Sequence, residues 1–199
     1  MNDIGTIMLK NVRLAFPVLW VPRPRPPGPD GKPGKPNFSA NFILTPGHPG
    51  LAKVKALILA VAREQWKDKA EVILKGLKAQ DRTCLHDGDT KAQYAGFAGN
   101  MFVAANTSTR PTVIDRSRAP LTEADGRPYP GCYVNASLAI RVQDHAQWGK
   151  RINAYIRGVQ FVRDGDAFGS GSVASQDEFE DLGDQTSAGG QADDADPLA

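Results

Sequence analysis

A short stretch of the chain is dense in side chains that can bind a metal ion or move a proton. Residues 81–89 read DRTCLHDGD and contain Asp81, His86, Asp87 and Asp89. Carboxylates on either side of a glycine could hold Mg²⁺ for hydrolysis of a nucleic acid, but such sites recruit several oxygen ligands and the other carboxylates of this part are scattered. Asp-Gly beside a further Asp is also common in turns. We therefore predict a turn and no metal site, with a metal-dependent nuclease that uses Asp81, Asp87 and Asp89 as the alternative.

Other signatures of catalysis are missing from the sequence. The chain contains no phosphate-binding loop, no GxSxG and no HExxH. GFAGN at 96–100 lacks the strand-then-helix context of a dinucleotide-binding loop. Cys84 and Cys132 are too few for a disulfide framework and have no metal-ligand spacing, so we expect free thiols. The sequence thus predicts no enzyme and no cofactor.

A second pattern places Tyr and Arg at alternating positions of two candidate strands, residues 132–143 and 151–162. Apolar side chains face one way along each strand, and the predicted opposite faces carry Tyr133 and Arg141, then Arg151, Tyr155 and Arg157. If the strands pair through the turn at 145–150, these five side chains share one surface, with Trp148 at its rim. Cations that neutralise phosphates and rings that stack on bases are what a sequence-tolerant site for single-stranded nucleic acid needs. The alternative is that the tyrosines pack under a loop.

Two cationic segments could flank such a surface. Residues 22–36, PRPRPPGPDGKPGKP, hold seven of the fifteen prolines together with Arg23, Arg25, Lys32 and Lys35. Proline cannot donate to a sheet ladder, so we predict an exposed, stiff loop between the first two strands. Its PxxP spacing leaves open a role as the ligand of a partner domain. Arg110 and Arg116 belong to a second cationic loop, and five more rings could stack on bases: Phe16, Trp20, Tyr94, Phe97 and Tyr129.

The charge of the chain is divided very unevenly. All 24 Lys and Arg and 12 of the 22 Asp and Glu lie in residues 1–163, a formal charge of +12, whereas residues 164–199 carry ten acids and no base. Almost nothing apolar follows Gly169, so we predict a disordered acidic tail over residues 169–199. Such a tail could compete with DNA for the basic domain at high effective concentration, or bind replication and recombination proteins. A purely solubilising tail is the alternative.

The order of elements predicts a mainly β domain over residues 1–168. Five strands are expected at 5–16, 37–44, 100–109, 132–143 and 151–162, with a bulge near Lys10–Asn11. The period changes to that of a helix over residues 50–80, with one helix at 50–66 and another at 68–80 capped by Asp68. This pattern favours a five-stranded antiparallel OB-like barrel with a helical insertion between strands two and three. An immunoglobulin-like sandwich is the competitor.

These segments, in this order, resemble the phage single-stranded-DNA-binding family that was formerly catalogued as a domain of unknown function. The resemblance covers about residues 5–182 and rests on six stretches: LAFPVLW (14–20), FSANFIL (38–44), DGD…YAG (87–96), FVAANTSTRPTVID (102–115), YPGCYVNASLAIRV (129–142) and GVQFVRDGDAFG (158–169). It implies an OB fold that coats single-stranded DNA during phage replication or recombination, without enzymatic activity.

The resemblance also bears on the tail and on where the protein acts. It implies an acidic tail like that of bacterial single-stranded-DNA-binding proteins, whose tip recruits replication enzymes. Here the tip DDADPLA has the Asp-Asp-x-x-Pro pattern but no terminal aromatic residue. We find neither a signal peptide nor an apolar run of about 18 residues, so we expect no membrane association and a place in the cytoplasm, that of the host cell if the protein is phage-encoded. An adaptor protein that works through its proline segment and tail remains the third hypothesis.

Overall fold

The computed structural model describes residues 5–25, 31, 33–146 and 148–169. They belong to one compact unit that ends at Gly169. Lys32 and the predicted acidic tail, apart from Gly169, lie outside the described residues. No helix among the described residues is both long and apolar enough to span a membrane.

Seven strands and two α-helices make up the fold. The strands are β1 (Thr6–Arg25), β2 (Gly34–Leu44), β3 (Leu85–Asp87), β4 (Met101–Thr107), β5 (Thr112–Ile114), β6 (Tyr133–His145) and β7 (Gly149–Arg163). The helices are α1 (Pro49–Trp66) and α2 (Ala70–Ala79), joined by a short 3-10 helix, Lys67–Lys69. Two further 3-10 turns occupy Gly88–Lys91 and Glu123–Asp125.

Five of the strands close into a barrel. The hydrogen-bonded order is β4-β2-β1-β6-β7, and β7 returns to pair with β4. The neighbouring pairs along that order are antiparallel, but the closing pair β4–β7 is parallel, with Ala105 opposite Ala154 and Asn106 opposite Tyr155. Short strands β3 and β5 extend the sheet beside β4 and β7. The predicted OB-like barrel with a helical insertion between strands two and three is confirmed, with one parallel closure that alternation alone does not predict.

The interior follows the alternation seen in the sequence. Val134, Ala136, Leu138 and Ile140 of β6 and Ile152, Ala154 and Ile156 of β7 are all buried in the main core. Helix α1 adds Leu51, Val54, Ile58 and Val61, spaced so that they share one helical face. Its start is capped by His48, whose Nδ1 accepts a hydrogen bond from the Gly50 amide at 3.0 Å. The predicted Asp68 cap is wrong, because Asp68 lies inside the 3-10 helix and α2 begins at Ala70.

Several register shifts interrupt β1, and two of them include a residue with a positive φ. The register with β6 shifts between Leu9 and Val12, where Asn11 has a φ of 53°, which confirms the predicted slip near Lys10–Asn11. The register with β2 shifts again between Ala15 and Val18, where Phe16 has a φ of 48°. A bulge inserts an extra residue and can redirect a side chain. The second bulge places the Phe16 ring on the outside of the barrel.

The proline-rich segment differs from the predicted loop at both ends. Strand β1 continues to Arg25 and β2 already begins at Gly34, with Arg23 opposite Asn37 and Arg25 opposite Gly34. The ladder of β1 with β6 ends at Arg13. The outer part of β1 therefore needs no donors for a second ladder, and prolines are tolerated on such an edge. We call residues 21–25 and 34–37 the arm.

Candidate nucleic-acid interface

The outer face of β6 and β7 brings together four of the side chains predicted from alternation. Arg141 lies opposite Asn153, Tyr155 opposite Ala139 and Arg151 opposite Gln143. Arg141, Arg151 and Arg157 are exposed, and Tyr155 is half-buried. The Arg157 guanidinium donates to the Thr6 hydroxyl at 3.0 Å, so its position is fixed by the first strand.

Tyr133 lies at the far end of β6, eight residues from Arg141, a distance of about 26 Å along a strand. Its ring is flanked by guanidiniums: the Cζ atoms of Arg163 and Arg13 are 3.3 and 5.5 Å from the ring centroid. Gly165 packs so closely on the same ring that a Cβ there would lie 2.9 Å from it. The structure thus separates Tyr133 from the other four side chains and places it under the segment that follows β7.

Trp148 lies in the turn between β6 and β7, and its side chain is 37% exposed. This turn is anchored by Trp66 of α1 and by Arg82, which follows α2. The Arg82 guanidinium donates to the Trp148 carbonyl, and the Trp66 indole donates to Asp144 Oδ2 at 3.1 Å. Hydrogen bonds from the Lys150 ammonium and, to a lesser extent, from the Trp66 indole lower the pKa of Asp144. The anchored turn carries Trp148, three residues before Arg151, and its place at the rim of the surface stays a prediction.

The remaining predicted cations lie on exposed segments. Arg23, Arg25 and Lys35 are exposed on the arm. The Arg110 guanidinium lies 5.7 Å from the centroid of the half-buried Trp20 ring. Arg116 is exposed, and only its backbone carbonyl is used by the Gln160 amide.

A cluster of aromatic rings lies on the outside of the barrel next to β1 and β4. Phe97 and Phe102 are 1% and 2% exposed and form its base, while Phe16 and Tyr94 remain 45% and 46% exposed. The Phe16 centroid is 5.0 Å from Tyr94 in an edge-to-face arrangement and 5.6 Å from Phe97. The Lys91 ammonium lies 5.0 Å from the Phe102 centroid and 5.7 Å from that of Phe16. We call Phe16, Tyr94, Phe97 and Phe102 the ring cluster.

The ring cluster combines two exposed rings with a cation, which is the composition that binds single-stranded nucleic acid. The sequence analysis named Phe16, Tyr94 and Phe97 only as separate candidates and did not group them. The signal available in the sequence was the break in alternation at Phe16–Pro17. Their proximity depends on the fold of residues 88–100, which carries Tyr94 and Phe97 back onto β1.

A cleft of about 160 Å³ lies between the ring cluster and the β7 surface. It is lined by Asp81, Arg82, Thr83, Cys84, His86, Ala104, Asn106, Arg151, Ile152, Asn153 and Ala154. The His86 ring stacks on Phe102 with centroids 5.1 Å apart, so one wall of the cleft touches the ring cluster. At the other end Asn106 pairs with Tyr155 across β4 and β7. Rings, cleft and cations therefore form a continuous surface, which we call the outer-face strip.

The acidic residues of the DRTCLHDGD segment have local roles. Asp87 Oδ1 accepts from the Asp89 amide at 3.0 Å, and Asp89 Oδ1 accepts from the Gly99 amide at 2.7 Å. Asp81 Oδ1 lies 2.6 Å from His86 Nδ1. No group of three or more metal-ligating side chains occurs within the described part of the chain. The carboxylates stabilise the loop that carries the ring cluster, in line with the turn that the sequence predicts.

Both cysteines are buried free thiols. Burial raises the pKa of the Cys84 thiol to about 12 and that of Cys132 to about 11. A thiol acts as a nucleophile or metal ligand only as the thiolate. These side chains therefore serve as small apolar core residues at neutral pH.

Comparison with known proteins shows the family to which the chain belongs. The family described as the ssDNA-binding protein of Enterobacter phage Enc34 matches residues 5–191. The chain belongs to this family. Its members are DNA-binding proteins rather than enzymes, so the nuclease hypothesis is set aside and the resemblance found in the sequence is confirmed.

Solved structures and one curated relative extend the comparison. The single-stranded DNA-binding protein from bacteriophage Enc34 in complex with ssDNA is 27% identical, with a TM-score of 0.67 over 83% of this chain and 90% of that one. A single-stranded DNA-binding protein of bacteriophage T7 shares the fold alone, at 10% identity and a TM-score of 0.53 over 94% and 98% of the two chains. A putative protein, p50, of Acyrthosiphon pisum secondary endosymbiont phage 1 is 45% identical over 88% of this chain and 93% of its own length.

Proposed function

We propose that this protein binds single-stranded DNA along the outer-face strip with little base preference. The observation that carries the proposal is the strip itself: exposed rings and cations follow one another across β1, β4 and β7. The solved Enc34 relative in complex with ssDNA supports the same ligand. Affinity then comes from phosphate neutralisation and stacking, which do not depend on the order of bases.

The residues predicted from the sequence divide into two proposed roles. Tyr155, Trp148, Phe16 and Tyr94 are the rings that stack on bases. Phosphates are contacted by cations on three segments: Arg141, Arg151 and Arg157 on the sheet, Arg23, Arg25, Lys32 and Lys35 on and beside the arm, and Arg110 and Arg116 beyond β4. We give Tyr133 a structural role instead, because two guanidiniums flank its ring.

A titration of a fluorescent thymidine oligomer tests this function. We expect tight binding at low salt that weakens steeply as salt is added, because bound phosphates release counterions. A duplex of the same length serves as the comparison. No change in anisotropy at low salt would contradict DNA binding and would favour an adaptor protein.

We further propose that the protein protects single-stranded intermediates of phage DNA replication or recombination in the host cytoplasm. The acidic tail would weaken non-specific binding by competing for the basic surface, or recruit replication and recombination proteins. The support is the charge division between residues 1–163 and 164–199. Pull-down of host replication proteins by the full chain, but not by a chain that ends at Gly169, would test recruitment.

A further inference from the structure

The cleft in the outer-face strip results from the way the barrel closes. Strands β4 and β7 pair at Ala105–Ala154 and Asn106–Tyr155, and no pair between them precedes these two. Residues 82–84 bridge the gap between the two strands: the Ala104 amide donates to the Cys84 carbonyl at 2.9 Å, and the Ile152 amide donates to the Arg82 carbonyl at 3.0 Å. Both strands are thus held apart by a third segment, and a fixed hollow remains on the outside.

The size of the hollow suits one small ring. Its volume is about 160 Å³. A cavity of roughly 150 Å³ in another protein is known to accept benzene. A single six-membered pyrimidine ring fits a cleft of this size more readily than the longer fused two-ring system of a purine.

The polar groups of the hollow can pair with a base edge. The side-chain amide of Asn106 forms no hydrogen bond with any described residue. Its nitrogen and oxygen are also absent from the fully buried side-chain atoms without a partner, so both are accessible to solvent. Asn153 donates through Nδ2 to Gln143 Oε1 at 2.8 Å, which leaves its Oδ1 as an acceptor. A side-chain amide offers an adjacent donor and acceptor. In one orientation it matches the N3–H and O4 of thymine, and after rotation by 180° it matches N3 and N4–H of cytosine.

Charged and aromatic groups surround the hollow as a nucleotide requires. The exposed Arg151 guanidinium lines the cleft and has no partner within the described residues, so it can reach a phosphate. The His86 ring forms one wall, and Tyr155 lies next to Asn106. Neighbouring bases can therefore stack on either side while one base enters.

From these observations we propose that the cleft is a subsite for a single pyrimidine base, held by the Asn106 amide. The inference rests on the proposed binding of single-stranded DNA and adds one base-selective position to an otherwise sequence-tolerant strip. Purine-only strands would bind through phosphates and stacking but leave the cleft empty.

Three labelled oligomers of equal length, made of thymidine, cytidine or adenosine, test the subsite with the full-length protein. Asn106→Ala is expected to weaken binding of both pyrimidine oligomers by about 5-fold or more, the lower bound for loss of a paired base contact. Binding of the adenosine oligomer should change by less than about 2-fold on the same reasoning. Comparing variant with wild type for each oligomer cancels the intrinsic stacking of the free strands.

Two further variants complete the design. Asn41→Ala removes an amide from β2 next to Ala104, outside the cleft, and should leave the pyrimidine-to-purine ratio unchanged. Ala104→Leu fills the cleft but keeps Asn106, and should lower the ratio as Asn106→Ala does. Equal fold-changes of Asn106→Ala on all three oligomers, or none on any, would overturn the subsite while binding of the wild type upholds the proposed function. A wild type that binds none of the oligomers would overturn both.

Discussion

At the scale of single residues, Phe16 combines an unfavourable backbone with an exposed ring. Its φ of 48° lies in the left-handed region, which is uncommon for a bulky residue and suggests a functional constraint. The bulge at this point places the ring 5.0 Å from Tyr94, with both rings nearly half exposed. A buried packing role does not explain a strained and exposed aromatic side chain. Base stacking does.

We therefore predict that Phe16→Ala weakens binding of a thymidine oligomer by about 1–3 kcal/mol, the range measured for loss of one base–aromatic stack. Fluorescence anisotropy measures the change. The control is Val72→Ala on α2, since Val72 is an apolar side chain that is 78% exposed and lies outside the strip. Equal affinities of wild type and Phe16→Ala, with both proteins folded, would exclude Phe16 from the interface.

The buried thiols give a prediction about stability and pH. Because burial raises the pKa of Cys84 to about 12, the folded protein keeps this proton at a pH where the unfolded chain loses it. The protonated Cys84 thiol makes its full contribution to the free energy of unfolding below about pH 9. This contribution declines as the pH rises toward the pKa of the folded protein. Between pH 8.5 and 10, wild type should lose about 1 kcal/mol more stability than Cys84→Ala. Urea unfolding at both pH values measures this difference, and parallel losses in the two proteins would contradict it.

The sequence placed correctly those residues whose position depends on their own strand, and it failed for residues whose position depends on contacts with distant parts of the chain. Alternation gave the correct side of the sheet for Arg141, Arg151 and Tyr155, because that property is local to a strand. The same rule placed Tyr133 on that side too, but its neighbours Arg13 and Arg163 come from two other strands. The ring cluster likewise needs a loop to fold over a bulge, and no periodicity reports such a contact.

At the scale of elements, the arm is the part of the fold whose role is purely electrostatic in our proposal. Arg23, Arg25 and Lys35 are exposed on a two-stranded ribbon that extends past the pairing of β1 with β6. Each phosphate that a cation neutralises on a single strand contributes about 0.7 to the slope of log affinity against log salt. Replacing all three by Ala should therefore lower the slope by about 2 if each contacts one phosphate.

A charge-matched variant separates this effect from a change in net charge. Lys53, Lys55 and Lys75 are exposed on the helical insertion, away from the strip, and their replacement by Ala removes the same three charges. We expect its salt slope to equal that of wild type. Similar slopes for both triple variants would show that the arm does not touch the DNA backbone.

The elements themselves were predictable where one physical signal dominated. The period of two identified five long strands, and the change of period identified the helical insertion. The prolines led us to predict a loop where the arm in fact continues both strands. A proline lacks the backbone N–H donor that a central strand needs, but an edge strand tolerates this loss. Whether a segment lies at the edge depends on the ladders of β1 with β2 and β6, which the local sequence does not show. The parallel closure of β4 on β7 joins residues about 50 positions apart and has no local signal.

At the scale of the whole molecule, the first residues after β7 belong to the barrel by their contacts, although their charge groups them with the acidic tail. Asp164 accepts from the Tyr129 hydroxyl at 3.0 Å, and the Asp166 carbonyl accepts from Arg13 at 2.6 Å. The Phe168 ring lies 4.2 Å from the Arg13 guanidinium and against Gly96, where no side chain would fit. Residues 164–169 thus hold the loop of the ring cluster in place, and the acidic residues available for competition begin after them.

This division fixes how tail competition must be tested. A chain that ends at Gly169 loses eight acidic residues and keeps every contact just described, whereas a chain that ends at Arg163 also loses the support of Gly96. We predict that the first truncation strengthens binding of a thymidine oligomer at low salt and lets duplex DNA bind, because it removes the tethered polyanion that we propose as a competitor for the basic surface. The gain should shrink as salt rises, since both the tail and the DNA are then screened.

The second truncation should instead lower thermal stability and weaken binding, and anisotropy with melting curves distinguishes the two. Unchanged affinity of the chain that ends at Gly169, for single strands and duplex alike, would exclude the tail as a competitor and leave recruitment of other proteins as its role.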